Sequence, residues 1–263
     1  MLVWLVVASS CQSTDQVAPA PPATGYRALF MGHSFFEPVT RDIAEHARRA
    51  GFSGHVQDVY YSAGVSGSPE GLWTDTGHQI AIQSILATGD IGLVGMTYHS
   101  AHPTPVGYRR WIEYALQHNP NAAFFIAAPW PRYPADSTQE EYDAIWRELH
   151  ATIHDIIDGL RAEFPDTVIF CIPYGLASLE LKQRFEADAL PDVSTLIGGV
   201  YADALGHPLD ILLDLSELIW LSAIYGVELD DYPHDPGYLT DLKGLAHELS
   251  MTHEVQYNSP WNR

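Results

Sequence analysis

Five short apolar runs, each followed by a stretch of helical length, constrain this chain more than any other feature. The runs are Arg27–Met31, Val56–Tyr61, Ile91–Tyr98, Ala122–Ala127 and Val168–Ile172. The helix candidates that follow them are Pro38–Ala50, Thr76–Ala87, Pro105–His118, Gln139–Phe164 and Leu209–Tyr225. Continuous apolar runs suit strands covered on both faces, as in a parallel sheet. Repeated βα units with right-handed crossovers then predict a three-layer αβα sandwich around a mostly parallel five-stranded sheet, flavodoxin-like in order. In the fourth helix candidate, Ile145, Leu149, Ile153, Ile156, Ile157 and Leu160 recur at helical spacing. Ser137 and Thr138 with Glu140 and Glu141 supply its cap and acidic first turn.

In such a sheet a ligand sits beyond the carboxyl ends of the strands. The places to search are therefore residues 32–36, 62–72, 98–104, 128–134 and 173–178. The first of them follows the run in "RALFMGHSFFEPVT". There Ser34 comes directly after a strand and before a helix, with its side chain at the sheet edge and its N–H near a helix N-terminus. A serine hydroxyl becomes a useful nucleophile only with a base and an oxyanion site, so partners are expected elsewhere in the chain.

The second loop, "SAGVSGSPEGLW", carries Gly64 and Gly67, where the backbone can approach a ligand and point an N–H at it. The third, "MTYHSAHPTP", offers His99, Ser100 and His102. The fourth, "APWPRYP", offers Trp130, Arg132 and Tyr133 as pocket walls. Near the end, "YADALGHPLD" puts Asp203 and His207 just before a long apolar helix. A carboxylate four residues from an imidazole can fix its tautomer and stabilise its cation, as acyl transfer requires.

Taken together, Gly32-His33-Ser34 after the first strand, a glycine-bearing loop after the second, and Asp203…His207 before the last helix resemble the SGNH (GDSL-like) hydrolase superfamily. The likeness spans roughly residues 26 to 226. It implies Ser34 as nucleophile with its own N–H as first oxyanion donor, Gly67 (with Gly64 in reserve) as the second, and Asp203 and His207 as the rest of the triad. The chain departs from the family in three ways. "DALGH" has three residues between Asp and His where the family has two, and His33 stands where Asp or Asn is usual. After the third strand there is no Asn, so His99 is the expected third donor. Trp73, Tyr98, Trp130 and Tyr133 are expected to line the acyl or sugar pocket. The implied activity is serine-dependent ester hydrolysis through an acyl-enzyme, by a carbohydrate O-deacetylase or short-chain acyl esterase. An O-acyltransferase, or a non-catalytic envelope-anchored binding protein of the same shape, are the alternatives.

Composition narrows the partners. The formal net charge is -20, from 33 acidic and 13 basic side chains, which argues against binding a nucleic-acid backbone. Small-molecule or carbohydrate esters are the expected ligands, and no cofactor is implied. The opening "MLVWLVVASSC" resembles a lipoprotein leader that would lipidate Cys11, export the chain and attach it to the cell envelope, with "QSTDQVAPAPPATG" as linker to a domain over 26–263. The apolar run is shorter than the ~20 residues a membrane-spanning helix needs. Cys171, inside "TVIFCIPYG", is expected to pack as a small hydrophobe. Three sets of metal-ligand types occur: His150 and His154 with Asp155 and Asp158, His99 with His102, and "DDYPHDP" with Asp230, Asp231, His234 and Asp235. None carries a catalytic metal signature. His150 and His154 are expected on a solvated helix face, and no metal is assigned. Past residue 226 a further helix is expected at Leu239–Met251.

Overall fold

The structure is a computed structural model that describes residues 20–262. The leader expected around Cys11 lies outside these residues. Five strands form the central sheet: β1 (Arg27–Gly32), β2 (Val56–Tyr61), β3 (Leu93–Thr97), β4 (Ala123–Ala127) and β5 (Ile169–Ile172). They lie in the order β2-β1-β3-β4-β5, and every neighbouring pair is parallel. The fold is therefore the expected αβα sandwich, all-parallel rather than mostly so.

Successive side chains on a strand face opposite ways, and β1 shows what that does here. Ala28 and Phe30 enter one core; Leu29 and Met31 enter the other. On the first face lie α1 (Glu37–Thr40), α2 (Ile43–Arg49), α7 (Gly175–Glu186), α8 (Asp210–Tyr225) and α9 (Leu242–Thr252). The second face carries α3 (Pro69–Thr74), α4 (Thr76–Leu86), α5 (Val106–His118) and α6 (Gln139–Glu163). Only β2, one of the two edge strands, departs from the continuous apolar rule, with Val56, Val59 and Tyr61 exposed.

Helix α8 is buried on every side from Leu215 to Tyr225, as an all-round apolar helix must be. Its Trp220 ring meets Phe30, Phe36 and Phe125 at centroid distances of 5.7, 5.0 and 5.1 Å. That packing fixes the helix start, and with it the segment 203–207, over the carboxyl end of the sheet. At α6 the expected cap is present: Thr138 Oγ1 accepts from the Glu141 N–H, and Glu141 Oε2 accepts from the Thr138 N–H. The single helix expected over Pro38–Ala50 is broken into α1 and α2 at Arg41 and Asp42. Helices α3 and α7 were not foreseen, because they occupy the stretches assigned to loops. Among the described residues no helix is long and apolar enough to cross a membrane.

Candidate active site

The turn after β1 is built around His33. Its Nδ1 accepts from the Phe35 N–H at 3.2 Å, and its Nε2–H donates to the Tyr98 carbonyl at 3.0 Å. One ring thus ties the β1 turn to the end of β3. Burial holds His33 down at about 4, so the ring stays neutral and both bonds keep their sense. The residue that is odd in the motif is a brace for the turn. Ser34, at its apex, is only partly covered. Among the described residues no carbonyl accepts from the Ser34 N–H.

Across 173 residues of sequence, the Ser34 hydroxyl lies 2.9 Å from His207 Nε2. His207 Nδ1 lies 2.7 Å from Asp203 Oδ2, so the imidazole donates there and presents a lone pair to the serine. The other carboxylate oxygen, Oδ1, accepts from the Gly206 and His207 N–H groups at 3.1 and 3.2 Å. The hydrogen bond from His207 holds the Asp203 carboxyl below its usual range.

The extra residue between Asp203 and His207 is absorbed by the backbone. Gly206 adopts φ +101°, its N–H donates to the Asp203 carbonyl, and the Ala202 N–H donates to the His207 carbonyl at 2.8 Å. A Cβ at Gly206 would also press on the Pro134 ring. The loop before α6 holds this segment from outside: Trp130 Nε1–H donates to the Gly206 carbonyl at 2.9 Å, and the Tyr133 N–H to the Leu205 carbonyl at 3.1 Å. Tyr133 itself sits at φ 60°, a strained setting for a non-glycine residue.

Ser34 and His207 open into a cavity of about 830 Å³. Tyr98, His99, Trp130 and Tyr133 border it, along with Ser100 and Arg132. His99 Nδ1 accepts from the Ala101 N–H at 3.1 Å, which leaves the proton of the neutral ring on Nε2. Burial and then Arg132 push its pKa down, so this donor is uncharged at neutral pH.

Two expected positions lie elsewhere. Gly67 does not border the cavity. It is buried beneath the β1 turn, where a Cβ would collide with the Ser62 and Gly32 carbonyls and His33 Cα. Its glycine is a packing requirement, and Gly64, at φ +55°, is the loop glycine that lines the cavity. As the first residue of a 3₁₀ turn, the Gly64 N–H has no acceptor within that turn. Trp73 packs instead on Trp111 with centroids 4.6 Å apart, and the Arg110 guanidinium lies over its ring. His102 also turns away, with Nδ1 2.7 Å from Ser68 Oγ.

Sequence reasoning missed one wall entirely. Ile145, Glu148, Leu149 and Thr152 of α6 border the cavity. The stripe of α6 marks a helix by its spacing but does not say which of its residues face the cavity, and Ile145 is exposed there. Phe35, the neighbour of Ser34, was also unassigned. It stacks on Trp130 at 5.2 Å and meets His207 edge-on.

No family model matches this chain, and no curated protein matches it by sequence. A DUF4886 family protein from Bacteroides uniformis superposes with a TM-score of 0.56 over 87% of this chain and 95% of its own, at 13% identity. That likeness establishes the fold. Two further structures superpose less well. A protein from Parabacteroides merdae, provisionally described as a GDSL-like lipase, gives a TM-score of 0.45 at 12% identity, over 77% of this chain and 99% of its own. The periplasmic domain of a lipopolysaccharide acetyltransferase from Salmonella Paratyphi A gives 0.39 at 12% identity, over 59% and 68%.

Proposed function

We propose that the protein is a serine-dependent esterase that removes a short acyl group, such as acetyl, from a carbohydrate or similar alcohol. The observation that carries this reading is the hydrogen-bonded line from Ser34 Oγ through His207 to Asp203. In the first step His207 Nε2 takes the Ser34 proton while Oγ bonds to the ester carbonyl carbon. The negative charge that develops on the carbonyl oxygen is received by the N–H groups of Ser34 and Gly64 and by His99 Nε2–H. His207, now a cation held by Asp203, returns the proton to the departing alcohol, leaving the acyl group on Ser34. Water then enters with the same base, and the acid is released.

Several features support an alcohol larger than its acyl group. The cavity is roomy, and the exposed Tyr61 and Tyr133 at its border offer planar rings of the kind that pack on sugars. Arg132 adds fixed donors at the same border.

The test is hydrolysis of a short-chain p-nitrophenyl ester and of an acetylated oligosaccharide by the purified protein and by Ser34→Ala. The expected loss is at least about 10⁴-fold in kcat, with the fold unchanged by circular dichroism. Equal rates for the two proteins would overturn the reading. Acyl transfer to an added sugar in preference to water would convert it to a transferase.

A further inference from the structure

Away from the cavity, the expectation of a solvated face for His150 and His154 fails. His154 is buried and His150 partly so, and their rings face inward. Together with Cys171 of β5 and His253, which caps the end of α9, they form one cluster. His253 Nε2 lies 3.1 Å from His150 Nε2 and 3.3 Å from His154 Nε2. All four potential ligand atoms, the Cys171 sulfur included, lie within 4.8 Å of one another.

Hydrogen bonding alone does not account for this geometry. His253 Nδ1 is 2.5 Å from the side-chain oxygen of Asn258, so its proton belongs on Nδ1 and its Nε2 carries a lone pair. His154 Nδ1 faces the Glu254 carboxylate at 3.7 Å. The single Nε2 lone pair of His253 thus faces two ring nitrogens, His150 Nε2 and His154 Nε2, which one well-aligned hydrogen bond cannot serve and one cation can. A tetrahedral centre with bonds of ~2.0–2.1 Å to nitrogen has N···N edges of about 3.3–3.4 Å, close to both observed separations. The outer partners match as well, since metal-bound imidazoles donate their second N–H to a carboxylate or carbonyl oxygen. Trp146 stacks on the His150 ring at 4.9 Å and Tyr257 on His154 at 3.5 Å, which holds the rings in place.

We propose that His150, His154, His253 and Cys171 bind one zinc-class divalent cation as a closed, structural N₃S site. The metal joins the imidazole Nε2 lone pairs, and the Cys171 thiol gives its proton to solvent as the sulfur–metal bond forms. Three imidazoles and a thiolate suit zinc over the hard cations, and four protein ligands leave no open position for chemistry. The site would pin the segment after α9 to α6 and β5, which lie far earlier in the sequence. It is independent of the esterase reading, and its test reads metal and not activity.

The experiment uses the full chain, expressed without a polyhistidine tag, and measures zinc by mass spectrometry and Co(II) binding by absorption. The expected result is about one zinc per chain, and with Co(II) the intense visible bands of a tetrahedral centre plus a near-ultraviolet sulfur-to-cobalt band. Cys171→Ser should remove the sulfur band, and Asn258→Ala should weaken binding about 10- to 100-fold. Chelation should lower the melting temperature, and zinc should restore it. Wild-type protein of native circular dichroism that takes up less than about 0.1 equivalent, or shows only octahedral Co(II), overturns the proposal. So does stoichiometric binding that survives undiminished in His154→Ala/His253→Ala, which would mark metal held elsewhere. Because the wild-type spectra stand alone, a variant that fails to fold does not rescue the idea.

Discussion

The Phe35 ring stands perpendicular to the His207 imidazole, with the two centroids 5.3 Å apart. Phe35 is buried, and its other face lies on Trp130, whose indole N–H holds the Gly206 carbonyl. The residue next to the proposed nucleophile therefore sets the position of the proposed base through an aromatic pair rather than a polar contact. Phe35→Leu keeps the site apolar but removes the plane against which the imidazole rests. Turnover should fall about ten- to a hundredfold with little change in KM, since a small misplacement of the base affects the chemical step. A matching rise in KM instead would mean that Phe35 acts on substrate directly.

Asp203 is half-exposed, and its carboxylate is organised by three donors of its own loop. Asp203→Asn should leave the melting temperature near that of the wild type while lowering kcat by about 10²–10⁴, because an amide favours the wrong imidazole tautomer. Steady-state kinetics beside a thermal melt would separate these two effects.

His99 is the proposed third oxyanion donor, a neutral Nε2–H in place of the Asn amide that the resemblance implies. His99→Ala should cost about 10²–10³ in kcat, the usual loss for one such donor. His99→Asn should recover part of that loss. If alanine and asparagine variants match the wild type, the backbone donors at Ser34 and Gly64 suffice.

The pH dependence of stability follows from two buried groups with opposite signs. His33 has a folded pKa of about 4 against an ordinary 6.5, so only the unfolded chain takes up its proton in between. Its contribution is present above pH 6.5 and is lost as pH falls towards 4, amounting to about 3 kcal/mol. Glu217 runs the other way. Burial, then the charges of Asp42 and Asp214, raise it to about 9, so it is a neutral acid that donates to His46 Nε2 at 3.2 Å. Its contribution is present below pH 4.5 and is lost as pH rises towards 9. Between about pH 4.5 and 6.5 the two slopes offset each other, so melting temperatures should be highest in that mildly acidic range and fall on both sides of it. Glu217→Gln, which keeps a donor without the titration, should flatten the alkaline side alone.

Much of this was legible in the sequence because it is local. The strand runs, the Ser34 turn and the Asp203/His207 loop each depend on residues within a few positions of one another. The capping box of α6 was legible for the same reason. What was not legible depends on contacts between distant segments. Gly64 and Gly67 differ only in which one lies under the β1 turn, and no local pattern says so. Trp73 reads as a pocket aromatic until Trp111 is seen to cover it. His150 and His154 read as surface residues because His253, about a hundred residues later, completes their cluster.

The last contact of the serine line is made by a loop whose place is set by the burial of α8. Everything needed for Ser34 to stand at its turn is present once β1, β3 and the His33 brace have formed, yet its partner arrives 173 residues later. A chain emerging from the ribosome therefore carries Ser34 without this partner until His207 has been made. On the proposed function the serine gains its base only when α8 docks, so an active-site serine probe should label folded molecules and pass over partly folded ones.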